Sequence, residues 1–243
     1  MTGQKSQRVA LVTGAGRGIG RATALALARE GYALCLAARS FEELEETRRL
    51  SGLEPARSLI VLIDLAGNES PQELFDAALG HFGQIDVLVN NAGWAPARTP
   101  LLKTTAAAQD RILAVNLRAP IALARLAAAR MVKSGGGAIV NIASAAARNT
   151  PAGEAIYAAA KAGMVAFSRA AFAELRSSGV KLTVLIPGLV DTALIPHNKH
   201  LDRALMLAAD DVAEAVMTVL RAPLRACPLE IVLEPQRNPE RAR

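Results

Sequence analysis

Aromatic residues are scarce in this 243-residue chain: Phe, Tyr and Trp together make up 3%, and there is one tryptophan. The formal net charge is +6, but the arginines are dispersed and no helix-like segment carries a one-sided basic face. Charge without a basic stripe or aromatic platforms excludes nucleic acid as the expected partner and favours small anionic molecules. Cysteine is almost absent. Cys35 and Cys227 lie far apart, and Cys35 falls inside an apolar run where thiols act as buried filler, so no disulfide is expected. The three histidines, His81, His197 and His200, do not combine with cysteines or carboxylates at ligand spacing, so no metal site is expected. His81 reads as a helix-surface residue and the other two as solvated loop residues. No G-x-S-x-G elbow surrounds any serine, which argues against an esterase. No apolar run approaches the ~20 residues of a membrane span, and Met1–Arg8 is polar and basic with no apolar segment behind it. A cytoplasmic protein without membrane contact is expected.

What is present is an alternation. Short apolar runs at Val9–Val12, Ala33–Ala38, Leu59–Ile63, Val87–Val89, Ala138–Ile142, Leu182–Ile186 and Glu230–Leu233 read as strands. Between them, helix-like segments run over Gly18–Glu30, Phe41–Leu50, Pro71–Phe82, Ala108–Val132, Glu154–Ser177 and Asp211–Leu220, with Gly31 and Gly179 as stops. Alternation of this kind predicts an α/β fold, a doubly wound parallel sheet of Rossmann type with helices on both faces. No repeat, linker or composition break divides residues 1–243, so a single domain is expected. Residues 189–209 form an irregular insertion before the last helix and read as a substrate lid. Beyond Pro235 the chain reads as a polar tail.

In such a fold, ligands bind beyond the carboxyl ends of the strands. The first strand runs into Thr13-Gly14-Ala15-Gly16-Arg17-Gly18-Ile19-Gly20 and then an Ala/Leu-rich helix. Glycines at Gly14, Gly18 and Gly20 permit a tight turn, and the N–H groups and dipole of the following helix attract a pyrophosphate. The spacing is neither G-x-G-x-x-G nor the phosphate loop G-xxxx-G-K-[ST], which argues against kinases and NTPases. The second strand ends Ala37-Ala38-Arg39-Ser40 with no carboxylate. Arg39 and Arg17 can instead bond a 2′-phosphate, so NADP is favoured over NAD.

Tyr157 and Lys161 are four apart in a predicted helix, so both reach one side of it. Ser144 follows the fifth strand at the same carboxyl edge. With these residues in place, the chain resembles a short-chain dehydrogenase/reductase over nearly its whole length. The matching pieces are Thr13-Gly14 through Gly20, Asp64, Asn90-Asn91-Ala92-Gly93, Asn116, Ser144, Tyr157 with Lys161, and Pro187-Gly188 leading to Thr192.

The resemblance implies an NADP(H)-dependent oxidoreductase that moves a hydride between nicotinamide and a small carbonyl or alcohol substrate. Tyr157 would exchange a proton with the substrate oxygen, Ser144 would hydrogen-bond it, Asn116 would help hold a relay water, and Lys161 would bind the nicotinamide ribose. Lys161 should also draw the Tyr157 phenol down from its ordinary pKa of about 10. The cofactor would further meet Gly14, Arg17, Gly18, Ile19, Gly20 and Arg39 at its phosphates and Asp64 at the adenine amino group, Asn90 would support the turn beneath the ribose, and Ala92 and Gly93 would also bind the cofactor. Pro187 and Gly188 would also bind the cofactor, and Thr192 would meet its carboxamide or its phosphates. Family members usually assemble as homodimers or homotetramers through the two Ala-rich helices. Reduction of carrier-bound 3-oxoacyl groups and a noncatalytic NADP-sensing role remain as alternative readings.

Overall fold

The computed structural model describes residues 7–195, 198 and 200–240. His197, assigned above to the lid, lies outside the described residues. The elements are β1 (Val9–Thr13), α1 (Gly18–Arg29), β2 (Ala33–Ala38), α2 (Phe41–Ser51), β3 (Ser58–Leu62), α3 (Ser70–Phe82), β4 (Val87–Asn90), α4 (Ala106–Leu113), α5 (Ala119–Ser134), β5 (Gly137–Ile142), α6 (Ala146–Asn149), α7 (Ala155–Leu175), β6 (Val180–Pro187), α8 (Ala209–Arg221) and β7 (Glu230–Leu233). All strands pair in parallel in the order β3-β2-β1-β4-β5-β6-β7. The winding direction reverses between β1 and β4, so the crevice above those two strands is the natural binding edge.

The two-residue period of the strands divides the apolar residues into two layers. Ala10, Val12, Leu34, Leu36, Val87, Val89 and Val140 face the layer that contains Leu27 of α1 and Val212, Val216 and Val219 of α8. Leu11, Cys35, Leu88, Ile139 and Leu182 face the opposite layer, with Leu74 of α3 and Leu123, Ala127 and Met131 of α5. Cys35 and Cys227 are free thiols. Local signals explain where elements begin and end. Ser40 caps α2 by accepting the Glu43 N–H at 3.2 Å, Glu42 and Glu43 complement its first turn, and Gly52 stops it at φ 65°. Gly31 and Gly179 follow their helical segments with φ of 82° and 74°.

Three features differ from the sequence reading. The segment expected as one helix over Ala108–Val132 is a rod in which α4 and α5 are joined by a π-helical stretch, Ala114–Arg118. Its hydrophobic spacing barely changes there, so periodicity does not reveal the wider turn. The rod is long and apolar enough to cross a membrane by length and composition alone, yet 56% of its most apolar stretch is buried inside the fold. The third difference is the tail. It folds back on the 189–209 loop, where Leu201 bridges Glu240 and the Asp202 N–H donates to the Pro239 carbonyl at 2.8 Å. A second bridge, Val190 to Leu207, closes the base of that loop.

Candidate active site

A cleft of about 860 Å³ opens at the carboxyl ends of the central strands. Its floor is the glycine turn. Gly14 has φ 64°, a conformation that side chains rarely adopt. A Cβ on Gly20 would lie 2.1 Å from the Gly14 carbonyl oxygen, so Gly20 allows the helix to pack on the turn and does not itself border the cleft. Arg17, the N-cap of α1, supplies no side-chain cap to the helix. The first N–H groups of α1 therefore remain available to an anion. Gly20→Ala is expected to cost about 3 kcal/mol, at the upper end of overpacking. Denaturant unfolding at wild-type stability would show that the turn is looser than this.

Asn91 clamps the turn from the other side: its Nδ2 donates to the Thr13 carbonyl at 2.9 Å and to that of Gly14 at 3.2 Å. The sequence points instead to its neighbour, Asn90. That assignment is corrected. Asn90 is buried and its Nδ2 donates to the Pro120 carbonyl and to Asn141 Oδ1, which ties β4 to α5 and β5 below the cleft. Consecutive strand residues face opposite ways, and only Asn91, one step past the strand, reaches the turn.

Arg17, Gly18, Ile19, Arg39, Asp64, Ala92, Gly93, Pro187, Gly188 and Thr192 all border the cleft, as expected from the sequence. Arg39 makes no hydrogen bond or ion pair among the described residues. Asp64 is engaged on both oxygens: Oδ2 accepts from Arg111 Nη2 at 2.6 Å and Oδ1 from the Ala66 N–H at 3.1 Å. Burial opposes ionisation of Asp64, but Arg111 and that N–H outweigh it and hold its carboxyl below the usual range. Arg111 also stacks over Trp94, 5.5 Å from the ring centroid.

The reactive end lies between β5 and α7. Ser144, just past β5, accepts the Ala146 N–H on its hydroxyl at 3.2 Å. Tyr157 and Lys161 emerge from the same side of α7, with Nζ 5.7 Å from the phenol ring centroid and donating to the Ile142 carbonyl at 2.9 Å. All three border the cleft. The expectation that Lys161 draws the Tyr157 pKa down does not hold in the protein alone. Burial pushes the phenol up to about 12, against the Ser144 hydroxyl and with the help of the Glu154 carboxylate, while burial also lowers Lys161 to about 8. Each charged form loses hydration, and the contact between the pair does not restore it.

Asn116, expected to help hold a relay water, stands behind the cleft wall. It is fully buried, bonded through Nδ2 to the carbonyls of Trp94 at 2.6 Å and Ile112 at 2.9 Å, and through Oδ1 to the Trp94 N–H. It does not border the cleft; it fixes the Gly93-Trp94 backbone that does, from within the π-helical stretch. The sequence reading missed Glu43, Trp94, Arg98, Arg111 and Glu154, all of which line the cleft. Trp94 carried a signal as the lone tryptophan next to Asn90-Asn91-Ala92-Gly93. Arg98 and Glu154 meet only through folding, where Arg98 Nε donates to Glu154 Oε1 at 2.7 Å. His81 and His200 are exposed, and among the described residues no group of three or more His, Cys, Asp or Glu could hold a metal ion.

The fold and this site define an oxidoreductase. The short chain dehydrogenase family matches residues 8–201, and the chain belongs to the short-chain dehydrogenase/reductase family. It is 35% identical over 222 residues to a cis-4-hydroxycyclohexanecarboxylate dehydrogenase of Sinomonas cyclohexanicum, covering 87% of this chain and 88% of that one. An uncharacterized oxidoreductase of Staphylococcus aureus is 32% identical over 95% of this chain and 98% of its own. Among solved structures, a metagenomic short-chain oxidoreductase in complex with NADP superposes with a TM-score of 0.82 at 31% identity, covering 95% of this chain and 98% of that one.

Proposed function

We propose that this protein is a cytoplasmic NADP(H)-dependent reductase or dehydrogenase of small carbonyl or alcohol substrates, with Tyr157 as its general acid and base. The observation that carries the reading is the convergence of Ser144, Tyr157 and Lys161 on one wall of a cleft whose floor is a glycine turn with a free helix N-terminus. A dinucleotide fits these groups: helix N–H donors for the pyrophosphate, Arg17 and Arg39 for a 2′-phosphate, and the Lys161 ammonium for ribose hydroxyls. A relative solved with NADP supports the cofactor.

When bound, the dinucleotide supplies or accepts the hydride and, in its oxidised form, brings a positive ring that favours the phenolate. Tyr157 gives its proton to the substrate oxygen in reduction and takes it back in oxidation. Ser144 donates to the same oxygen and holds it within reach of the phenol. Asp64 would accept from the adenine amino group alongside its present partners, and Thr192 would meet the carboxamide or the phosphates. Asn116 acts as a positioning residue through Gly93 and Trp94. The substrate space is bordered by Trp94, Pro96, Leu189, Leu194 and Ile195, an apolar wall interrupted by Arg98 and Glu154. The 189–209 loop serves as the lid of the single domain.

Exposed alanines along α7, Ala159, Ala166, Ala170 and Ala173, leave a surface of small side chains against which a second copy can pack. We propose a homodimer or homotetramer; sedimentation at the mass of one chain would contradict it.

The functional test is oxidation of NADPH against ketones, aldehydes, keto acids and acyl thioesters. Cyclic keto acids head the panel because of the named activity of the Sinomonas relative. Turnover of at least one small ketone, aldehyde or keto acid is expected. Turnover confined to acyl thioesters would replace the substrate assignment, and silence across the panel would favour a noncatalytic NADP sensor.

A further inference from the structure

The adenosine end of the cleft carries mixed charge. Arg17 and Arg39 border it as cations, but Glu43, a carboxylate from the first turn of α2, borders it as well. Glu43 is held there by the way α2 is clipped to the glycine turn. Thr47 Oγ1 lies 3.0 Å from the carbonyls of Ala15 and of Glu43 itself, and Arg21 Nη2 donates to the carbonyls of Gly16 and Glu43. The fit is close: a Cβ on Gly16 would meet Glu43 Cβ at 2.9 Å and Glu43 Oε2 at 3.0 Å. The carboxylate therefore sits over the turn, with Oε1 3.3 Å from Arg17 Nη1. Both partners are solvated, at 60% and 38% side-chain exposure, so the pair contributes little to folding and is free to exchange partners.

Resting on the reading that a nicotinamide dinucleotide binds here with its adenosine between α1 and α2, we propose that Glu43 sets the cofactor ratio: its carboxylate competes for Arg17 and repels a 2′-phosphate, holding NADP(H) affinity below what Arg17 and Arg39 would give. The strand end that holds a ribose-binding carboxylate in NAD-preferring sites is Ala37-Ala38-Arg39-Ser40 here, and the helix restores one anion beside it. A dianionic phosphate feels this anion about twice as strongly as a single charge would, whereas an unphosphorylated ribose feels it hardly at all. Solvent and salt limit the effect to several-fold, because the Debye length is about 8 Å at physiological ionic strength.

The test is fluorescence titration of the full-length protein with NADPH and NADH, comparing wild type, Glu43→Gln, Arg17→Met and the double variant. Glu43→Gln is expected to lower the NADPH dissociation constant about fivefold, to leave that for NADH within about twofold, and to lose most of this gain in about 1 M salt. In the Arg17→Met background, Glu43→Gln should still tighten NADPH, since the repulsion acts directly. An unchanged or weaker NADPH affinity in Glu43→Gln, or equal gains for both cofactors, overturns the proposal. Equal wild-type affinity for the two cofactors would remove the NADP preference of the proposed function, yet the NADPH-to-NADH ratio should still rise in Glu43→Gln, so the two ideas fail separately. No binding of either cofactor overturns both.

Discussion

Tyr157→Phe is expected to lower turnover by roughly 10²–10⁴-fold while leaving NADPH affinity within about twofold, because it removes one proton donor and almost no volume. The loss should fall on kcat and kcat/KM together, the mark of an interaction made only in the transition state. The phenol is buried, and by itself the protein holds its pKa up at about 12. Reduction, which needs the protonated phenol, should therefore persist into alkaline solution. Oxidation should depend on cofactor charge to generate the phenolate and should fall away at lower pH. A Tyr157→Phe enzyme with wild-type turnover would leave the mechanism without its acid.

Lys161→Met is the second large effect, and it separates activity from stability. Activity should drop by about 10²-fold or more as the ribose contact and the cation beside Tyr157 are lost. Stability should move differently. The folded-state pKa of Lys161 is lowered to about 8 by burial, whereas the unfolded chain keeps the ordinary value of 10.5. Between those limits the unfolded chain holds a proton that the native one does not, so wild-type stability gains from rising pH across that window. Below about pH 8 both states are protonated and the full cost of burying the cation, about 3 kcal/mol, persists. Tyr157 and Cys35 have the opposite sign, since burial raises both to about 12 and their contributions fall above their ordinary values of 10.0 and 9.0. Lys161 is thus most visible between pH 8 and 9. The methionine variant should lose the pH-dependent rise there and be no less stable than wild type at pH 7, even after the Ile142 carbonyl loses its donor. Melting temperatures across this range check it, and parallel curves for the two proteins would contradict a buried, perturbed lysine.

Much of this was legible in the sequence because parallel strands buried on both faces leave short apolar runs, and glycine stops and caps leave fixed residues. The glycine turn, Ser144, Tyr157 and Lys161 were readable since each is tied to a strand end or one helical turn. The π-helical stretch that carries Asn116 was not legible, because it keeps nearly the same hydrophobic spacing as the helices beside it. Asn90 and Asn91 were exchanged for want of one residue of register at a strand end, where register decides which way a side chain faces. Glu43 beside Arg17, Arg98 with Glu154, and Arg111 with Asp64 are pairings between distant segments, on which local pattern is silent. The tail's anchor was not legible because it is backbone pairing to Leu201 and Asp202, which any sequence can make.

The most direct test is a crystal structure of the protein with NADP(H). It should show the pyrophosphate on the N-terminus of α1, Lys161 bonded to the nicotinamide ribose, and the Tyr157 hydroxyl on the same side as the hydride-carrying carbon. A dinucleotide seated elsewhere, or a nicotinamide ring remote from that hydroxyl, would contradict the assignment.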